Sequence, residues 1–256
     1  MKTKQKILLI LCTILLLVVS LKVISSFIFP NDFGFFINLI TEILGAIITF
    51  VAIDSIITSN ENRLKNEYKK IAYRTLYNPL KDYVFMWLHI GFESEEKAKL
   101  ELKSQTLKEL FFSDSFIENI KSKDFDEPFN KMFFLGQEDT RILKNIVPKL
   151  FTDFKHKLNI SIEKYSIYFE PETLFLLEHF AEKSHLYEVF DFWISLNGGN
   201  HSKWFHSEKL KKEYLHQHFS KLFELIDKYN TICPNQYLIN KETILSFKKL
   251  DDNVEY

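Results

Sequence analysis

The chain has 256 residues and is near charge balance, with 33 Lys and Arg against 34 Asp and Glu, which leaves no broad cationic footprint for nucleic acid. Its 26 Phe and 11 Tyr supply the core of one soluble domain, and two cysteines, Cys12 and Cys233, are too few for a disulfide framework or a Cys-rich zinc site. Six Gly, six Pro and many Lys, Asn, Ile and Phe suit a mostly helical protein from an AT-rich bacterial genome.

Lys2, Lys4 and Lys6 precede an uncharged run over 7–21, Lys22 follows, and apolar character resumes to Phe29. A charged start and an apolar run also describe a signal peptide, with Val23 to Ser25 as a weak cleavage site, but the continuation to Phe29 favours an uncleaved first span over about 7–29. Cys12 follows Leu11, not a small residue, so no lipoprotein site is expected. Pro30, Asn31, Asp32, Phe33 and Gly34 form a turn. Residues 35–57 then read as a second span. Lysines before the first span and Arg63, Lys65, Lys69 and Lys70 after the second place both termini in the cytoplasm, because the turn carries only an acid. The expectation is a multi-pass protein of the bacterial inner membrane.

From Thr58 the helical spacing continues through Leu64, Tyr68 and Ile71, so a helical stalk is expected over 58–90, kinked or restarted at Asn78-Pro79. Beyond it, 91–256 reads as one cytoplasmic helical domain. Residues 106–120 divide into two short helices with Ser113 or Asp114 as a cap, and 124–136 is irregular. Three long amphipathic patterns follow, over 138–168, 171–196 and 207–229, with a last short one over 241–250. In the second, Leu174, Leu177, Phe180, Tyr187 and Ile194 share a face; in the third, Leu215, Phe219, Leu222, Ile226 and Tyr229 do. No stretch alternates with period two, so the fold is all-α: a hairpin over 1–57, the stalk and the domain.

The sharpest candidate residues lie in the spans. A hairpin folded about Asp32 sets Lys22 and Glu42 at equal depth, ten residues to either side. A charge near mid-span costs about 2.5–3.5 kcal/mol on insertion scales, which an opposite charge at the same depth offsets. Two arrangements meet this constraint: a polar pair, within or between chains, or a Lys22 that snorkels outward while Glu42 is protonated or faces another copy. Asn38, Glu42, Gly45, Ala46 and Thr49 share one small, polar face that suits packing against the first span or a second protomer. Asp54 belongs at the membrane interface.

Metal chemistry has one pattern behind it, Glu-x-x-His, at Glu182 with His185 and at Glu213 with His216. A dimetal bundle needs both to point inward with two further carboxylates, whereas the apolar faces turn Glu182 and Glu213 towards solvent, so no metal, cofactor or catalytic residue is expected. The loop Asn197 to Asn200 reads as a helix end, not a phosphate cradle.

Leu39, Glu42, Gly45, Thr49, Ile53 and Asp54 together resemble the second helix of a group of bacterial two-span inner-membrane proteins without assigned activity. That resemblance implies a membrane hairpin with a cytoplasmic domain. Residues 214–229, YLHQHFSKLFELIDKY, are similar to the C-terminal helix of phage abortive-infection membrane proteins. Three functions follow as expectations, in order: a membrane-anchored interaction or sensor protein in antiviral defence, an oligomerising pore-like effector, and a helical metalloenzyme. The partners expected are the lipid bilayer, a cytoplasmic protein and a second copy of the chain, as a dimer.

Overall fold

The computed structural model describes residues 12–20, 22–24, 33–92, 95–123, 143–184, 186 and 211–246. Among these there is no strand, and the protein is all-α. Of the turn expected over 30–34, Phe33 and Gly34 are instead the first residues of a helix, while 30–32, the irregular 124–136 and the loop 197–200 lie outside the described residues. The chain divides into two compact units, Met1–Asn66 and Glu67–Tyr256.

In the first unit, residues 12–20 and 22–24 are helical and form α1. Helix α2, Phe33–Thr75, runs 43 residues without interruption. At 1.5 Å per residue it is about 65 Å long, roughly twice the hydrocarbon thickness of a bilayer. Among the described residues it alone is long and apolar enough to cross a membrane; the apolar helix Cys12–Ile24 is shorter. Half-buried positions follow helical spacing on each: Leu15, Val18 and Lys22 on α1, and Ile43, Ile47, Phe50, Asp54 and Thr58 on α2.

The second unit begins on the last turns of α2, where Ala72 and Tyr73 are buried. The Tyr73 hydroxyl lies 2.8 Å from Thr173 Oγ1, and Lys69 pairs with Glu170 at 2.7 Å. The break expected near Asn78-Pro79 falls at Leu76, and α3, Tyr77–Gly91, starts with Pro79 inside its first turn, where a missing N–H leaves no intrahelical bond unmade. The stalk expected through residue 90 is shorter than this. Tyr83 to Gly91 are buried without exception, because α3 is apolar all round and must be surrounded. It forms the centre of the core, so the change from exposed to buried falls near residue 72.

Onto α3 pack α6 (Asp114–Ser122) and α7 (Leu143–Tyr165), with α5 (Leu107–Phe112) against α6 and α4 (Glu95–Ser104) against α5. The expected division of 106–120 is present: Thr106 caps α5 in a capping box with Glu109, and Ser113 caps α6. Gly91 allows α3 to meet α6, since a Cβ there would come within 2.1 Å of the Phe116 ring. After a 3-10 turn at Ser166–Tyr168, α8 spans Pro171–Glu178 and passes into a π-helical turn, His179–Lys183, which ends at an extended Ser184. The continuous helix expected over 171–196 is therefore interrupted. Phe180 and Ala181 are buried on that turn, and Ser184 leaves the helix to bond across the core. Helix α9, Lys212–Ile232, buries Leu215, Phe219, Leu222, Ile226 and Tyr229, the whole expected face. Helix α10, Lys241–Leu245, closes the described chain behind an Asn240 cap.

Candidate functional site

Glu42, Gly45, Ala46 and Thr49 are exposed on one face of α2, with Asn38 a turn earlier. This is not the half-buried face of Ile43, Ile47, Phe50 and Asp54, so the small polar stripe is left uncovered by the described residues. Open space lies over Gly45. Lys22 is half-exposed, on the same side of α1 as Leu15 and Val18. The turn that would set Lys22 level with Glu42 lies outside the described residues. Asp54 is half-buried at the end of the apolar stretch.

The second unit contains a polar cluster that sequence reasoning did not single out. Helix α3 sets Tyr83 and Trp87 one turn apart, α9 presents His218, and the residue after the π turn is Ser184. The Tyr83 hydroxyl is 2.6 Å from His218 Nε2, and Ser184 Oγ is 3.1 Å from Nδ1. All three side chains are buried. A neutral imidazole has one donor and one acceptor nitrogen, and a hydroxyl serves either role, so both ring nitrogens are satisfied. Aromatic rings enclose the group. Tyr83 stacks on Phe154 at 4.0 Å, Phe180 meets His218 edge-on at 5.2 Å, and Trp87 meets Phe219 edge-on at 5.0 Å.

Burial pushes the His218 pKa down to about 3, and repulsion from His179, once that ring is protonated, and from the Lys221 ammonium lowers it further. His89, on the same α3, is likewise held at about 3 by burial, with Lys123 adding to it. Both imidazoles are neutral at neutral pH. The distances from Ser184 to His218 are those of a nucleophile with its base, but a catalytic serine must be reached by substrate, and this one lies inside an aromatic wall. The arrangement therefore acts as a lock that fixes the register of α3, α9 and the π turn. Trp87 Nε1 is buried with no hydrogen-bond partner among the described residues. Neighbouring ring faces give it only a weak acceptor.

At the rim of this core, His179 is half-buried on the π turn, and Lys221 Nζ lies 3.3 Å from its Nδ1. Burial lowers the His179 pKa, and the charges of Lys221 and Lys183 lower it further. No three His, Cys, Asp or Glu side chains gather as a metal site among the described residues. Glu182 and Glu213 are exposed, His216 lies against the ring of Phe112, and His185 is outside the described residues. The chain matches no described protein family, no curated protein and no solved structure.

Proposed function

We propose that this is a two-span bacterial inner-membrane protein, with both termini in the cytoplasm and the helical unit Glu67–Tyr256 serving as an interaction or sensor module in antiviral defence. The supporting observation is α2, a single helix whose side chains over 41–64 are all exposed or half-exposed while Ala72 and Tyr73 are core residues. In water, exposed Leu44, Ile48, Val51, Ile53, Ile56 and Ile57 on one helix would be an aggregation site; in hydrocarbon they are at home. No reacting group is assigned, because the polar cluster in the core is closed to substrate.

The test is membrane extraction combined with topology. The protein should remain in the pellet after alkaline carbonate. In a Cys12→Ser, Cys233→Ser background, a cysteine at Asn31 should react with an impermeant thiol reagent in intact cells, while one at Asn60 should not. Release by carbonate would overturn the membrane reading, and labelling at Asn60 alone would invert the topology.

A second reading is supported by the uncovered face Asn38, Glu42, Gly45, Ala46 and Thr49. Self-association would bury it, with Glu42 of one copy near Lys22 of the next, and a resting dimer is the simplest such assembly. If several copies closed a ring instead, their Glu42 carboxylates would line an axis that favours cations, as in a pore-forming effector. Depolarisation measured with a potential-sensitive dye, present for the wild type and absent for Glu42→Leu at equal membrane levels, would favour the effector; no depolarisation at rest or during phage challenge would remove its support.

A further inference from the structure

We propose that the stretch of α2 beyond its apolar part, residues 57–71, pairs with the same stretch of a second copy as a parallel two-stranded coiled coil. This deepens the self-association reading by adding a contact outside hydrocarbon. The parallel direction rests on the membrane reading, because copies anchored in one bilayer with one topology point the same way.

From Thr58 to Lys70 every residue is polar or charged except Leu64 and Tyr68. Ile57, Leu64 and Ile71 stand seven residues apart on one uninterrupted helix, and all three are exposed. Tyr68 stacks on Tyr168 of its own chain at 5.2 Å, whereas Leu64 and Ile71 are exposed among charged neighbours. An apolar residue recurring every seven positions keeps one seam facing a second helix, and the mismatch between 3.6 and 3.5 residues per turn is taken up by a left-handed supercoil.

The remaining positions fit that register. With Ile57, Leu64 and Ile71 at a, the outward b, c and f positions from Thr58 to Lys69 hold only polar or charged residues. Isoleucine at a favours two strands, and a polar residue in the seam fixes register at a cost in stability. Asn60, at d, carries both a donor and an acceptor and so can bond to the Asn60 of a second copy. At g, Arg63 and Lys70 face the e positions of the other helix, Tyr68 and Thr75, so no like charges meet there and Arg63 gains a ring face. Glu67, the other d residue, meets its own copy, a like-charge contact that weakens the pairing.

The occupant is a second copy because the seam continues a face that is already uncovered. At about 100° per residue, Glu42, Ala46, Thr49 and Ile53 fall with Asn60, Leu64 and Ile71 in a sector of about 60° around α2. All seven are exposed. A different protein would have to match a polar stripe and a heptad seam in succession, whereas a two-fold axis along the helix matches both at once. Two heptads are too short to hold together free in water, but anchoring both copies in one membrane raises their effective concentration.

The test uses the full-length protein with Cys12→Ser and Cys233→Ser in isolated membranes, carrying one further cysteine at a time and oxidised with copper phenanthroline. A disulfide-linked product of twice the chain mass is expected for Asn60→Cys, Leu64→Cys and Ile71→Cys. Asn62→Cys, Lys65→Cys and Asn66→Cys, on the outward side, should give about a tenth as much or less. Leu64→Lys, at an exposed position that does not threaten the fold, should weaken association about tenfold or more, read as dimer trapped through Asn60→Cys while the lipid-to-protein ratio is raised. Glu67→Leu should strengthen it. Crosslinking that is even around the helix, that Leu64→Lys leaves unchanged, or whose product contains a different chain would overturn the proposal. Crosslinking at Thr49→Cys with none at Asn60→Cys, Leu64→Cys or Ile71→Cys would also overturn it, while leaving association through the membrane face standing. Carbonate extraction tests the membrane reading separately, so the two can fail independently.

Discussion

Acidification from pH 7 to pH 5 should destabilise the helical unit well before its carboxylates titrate. In the folded chain His218 and His89 have pKa values near 3, whereas an unfolded histidine titrates near 6.5. A depressed folded pKa means that the unfolded state binds the proton first, so the stability is complete above about pH 6.5 and is lost as pH falls towards 3. Over the interval from pH 7 to pH 5 each histidine accounts for about 2 kcal/mol by linkage, or about 4 kcal/mol for the pair. His179, lowered as well, adds in the same direction. Glu109, Asp114 and Glu172, all held below the usual carboxylate range by their partners, lose their contribution in a more acid window. For a unit of this size about 4 kcal/mol is a fall in Tm of roughly 8–16 °C. Thermal melts of the full chain in a non-ionic detergent, followed by tryptophan fluorescence at pH 7, 6 and 5, measure it. His218→Gln should cost about 1–3 kcal/mol at pH 7, because one of the hydroxyls of Tyr83 and Ser184 loses its partner, and should remove about half of the pH dependence. A Tm that is flat from pH 7 to pH 5, or a variant that keeps the full pH slope, would refute the burial argument.

Gly91→Ala should destabilise by about 1–3 kcal/mol, since its Cβ must displace the Phe116 ring, and Phe116→Leu should relieve part of that cost in the double variant; denaturant melts decide. Thr106→Ala removes the side-chain half of a capping box, leaving the bond from its backbone N–H to Glu109, and should cost about 1 kcal/mol, a fall in Tm of a few degrees. For the proposed contact between copies, Lys22→Glu should weaken the oligomer measured by crosslinking in membranes, and adding Glu42→Lys should restore part of it; simple additivity of the two changes would mean that the residues do not interact.

The parts of the fold legible in the sequence are those where one periodicity has one consequence. The face of α9 from Leu215 to Tyr229 is buried throughout, and the two helices after Thr106 begin at the caps that Thr106 and Ser113 supply. Helix α3 was legible as apolar but not as central. An apolar run soon after an expected span reads equally well as a continuing stalk, and only the surrounding helices show that Tyr83 to Gly91 have neighbours on every side. The π turn had no local signature at all. Residues 171–183 carry an ordinary amphipathic pattern, and what ends it is Ser184, a small polar residue whose partner lies 34 positions away.

The same distinction runs through the candidate site. His218 shares helical spacing with Leu215 and Leu222, so its place on a buried face was legible; that it would be neutral and locked was not, because its partners come from α3 and from beyond the π turn. In the expected hairpin, the depth of Lys22 and Glu42 follows from counting residues about a turn, but depth fixes only one coordinate of a helical residue. The other is its angle about the axis. There Glu42 falls on the exposed face of α2, apart from the half-buried Ile43, Ile47 and Phe50. If α2 spans a bilayer as proposed, a polar stripe that the described residues leave exposed needs a cover, and in hydrocarbon, where exposed carboxyl and amide groups are costly, another helix meets that need better than lipid does. On the proposed membrane reading, association of copies through this face would cover Glu42, an ionisable residue that the described residues leave exposed.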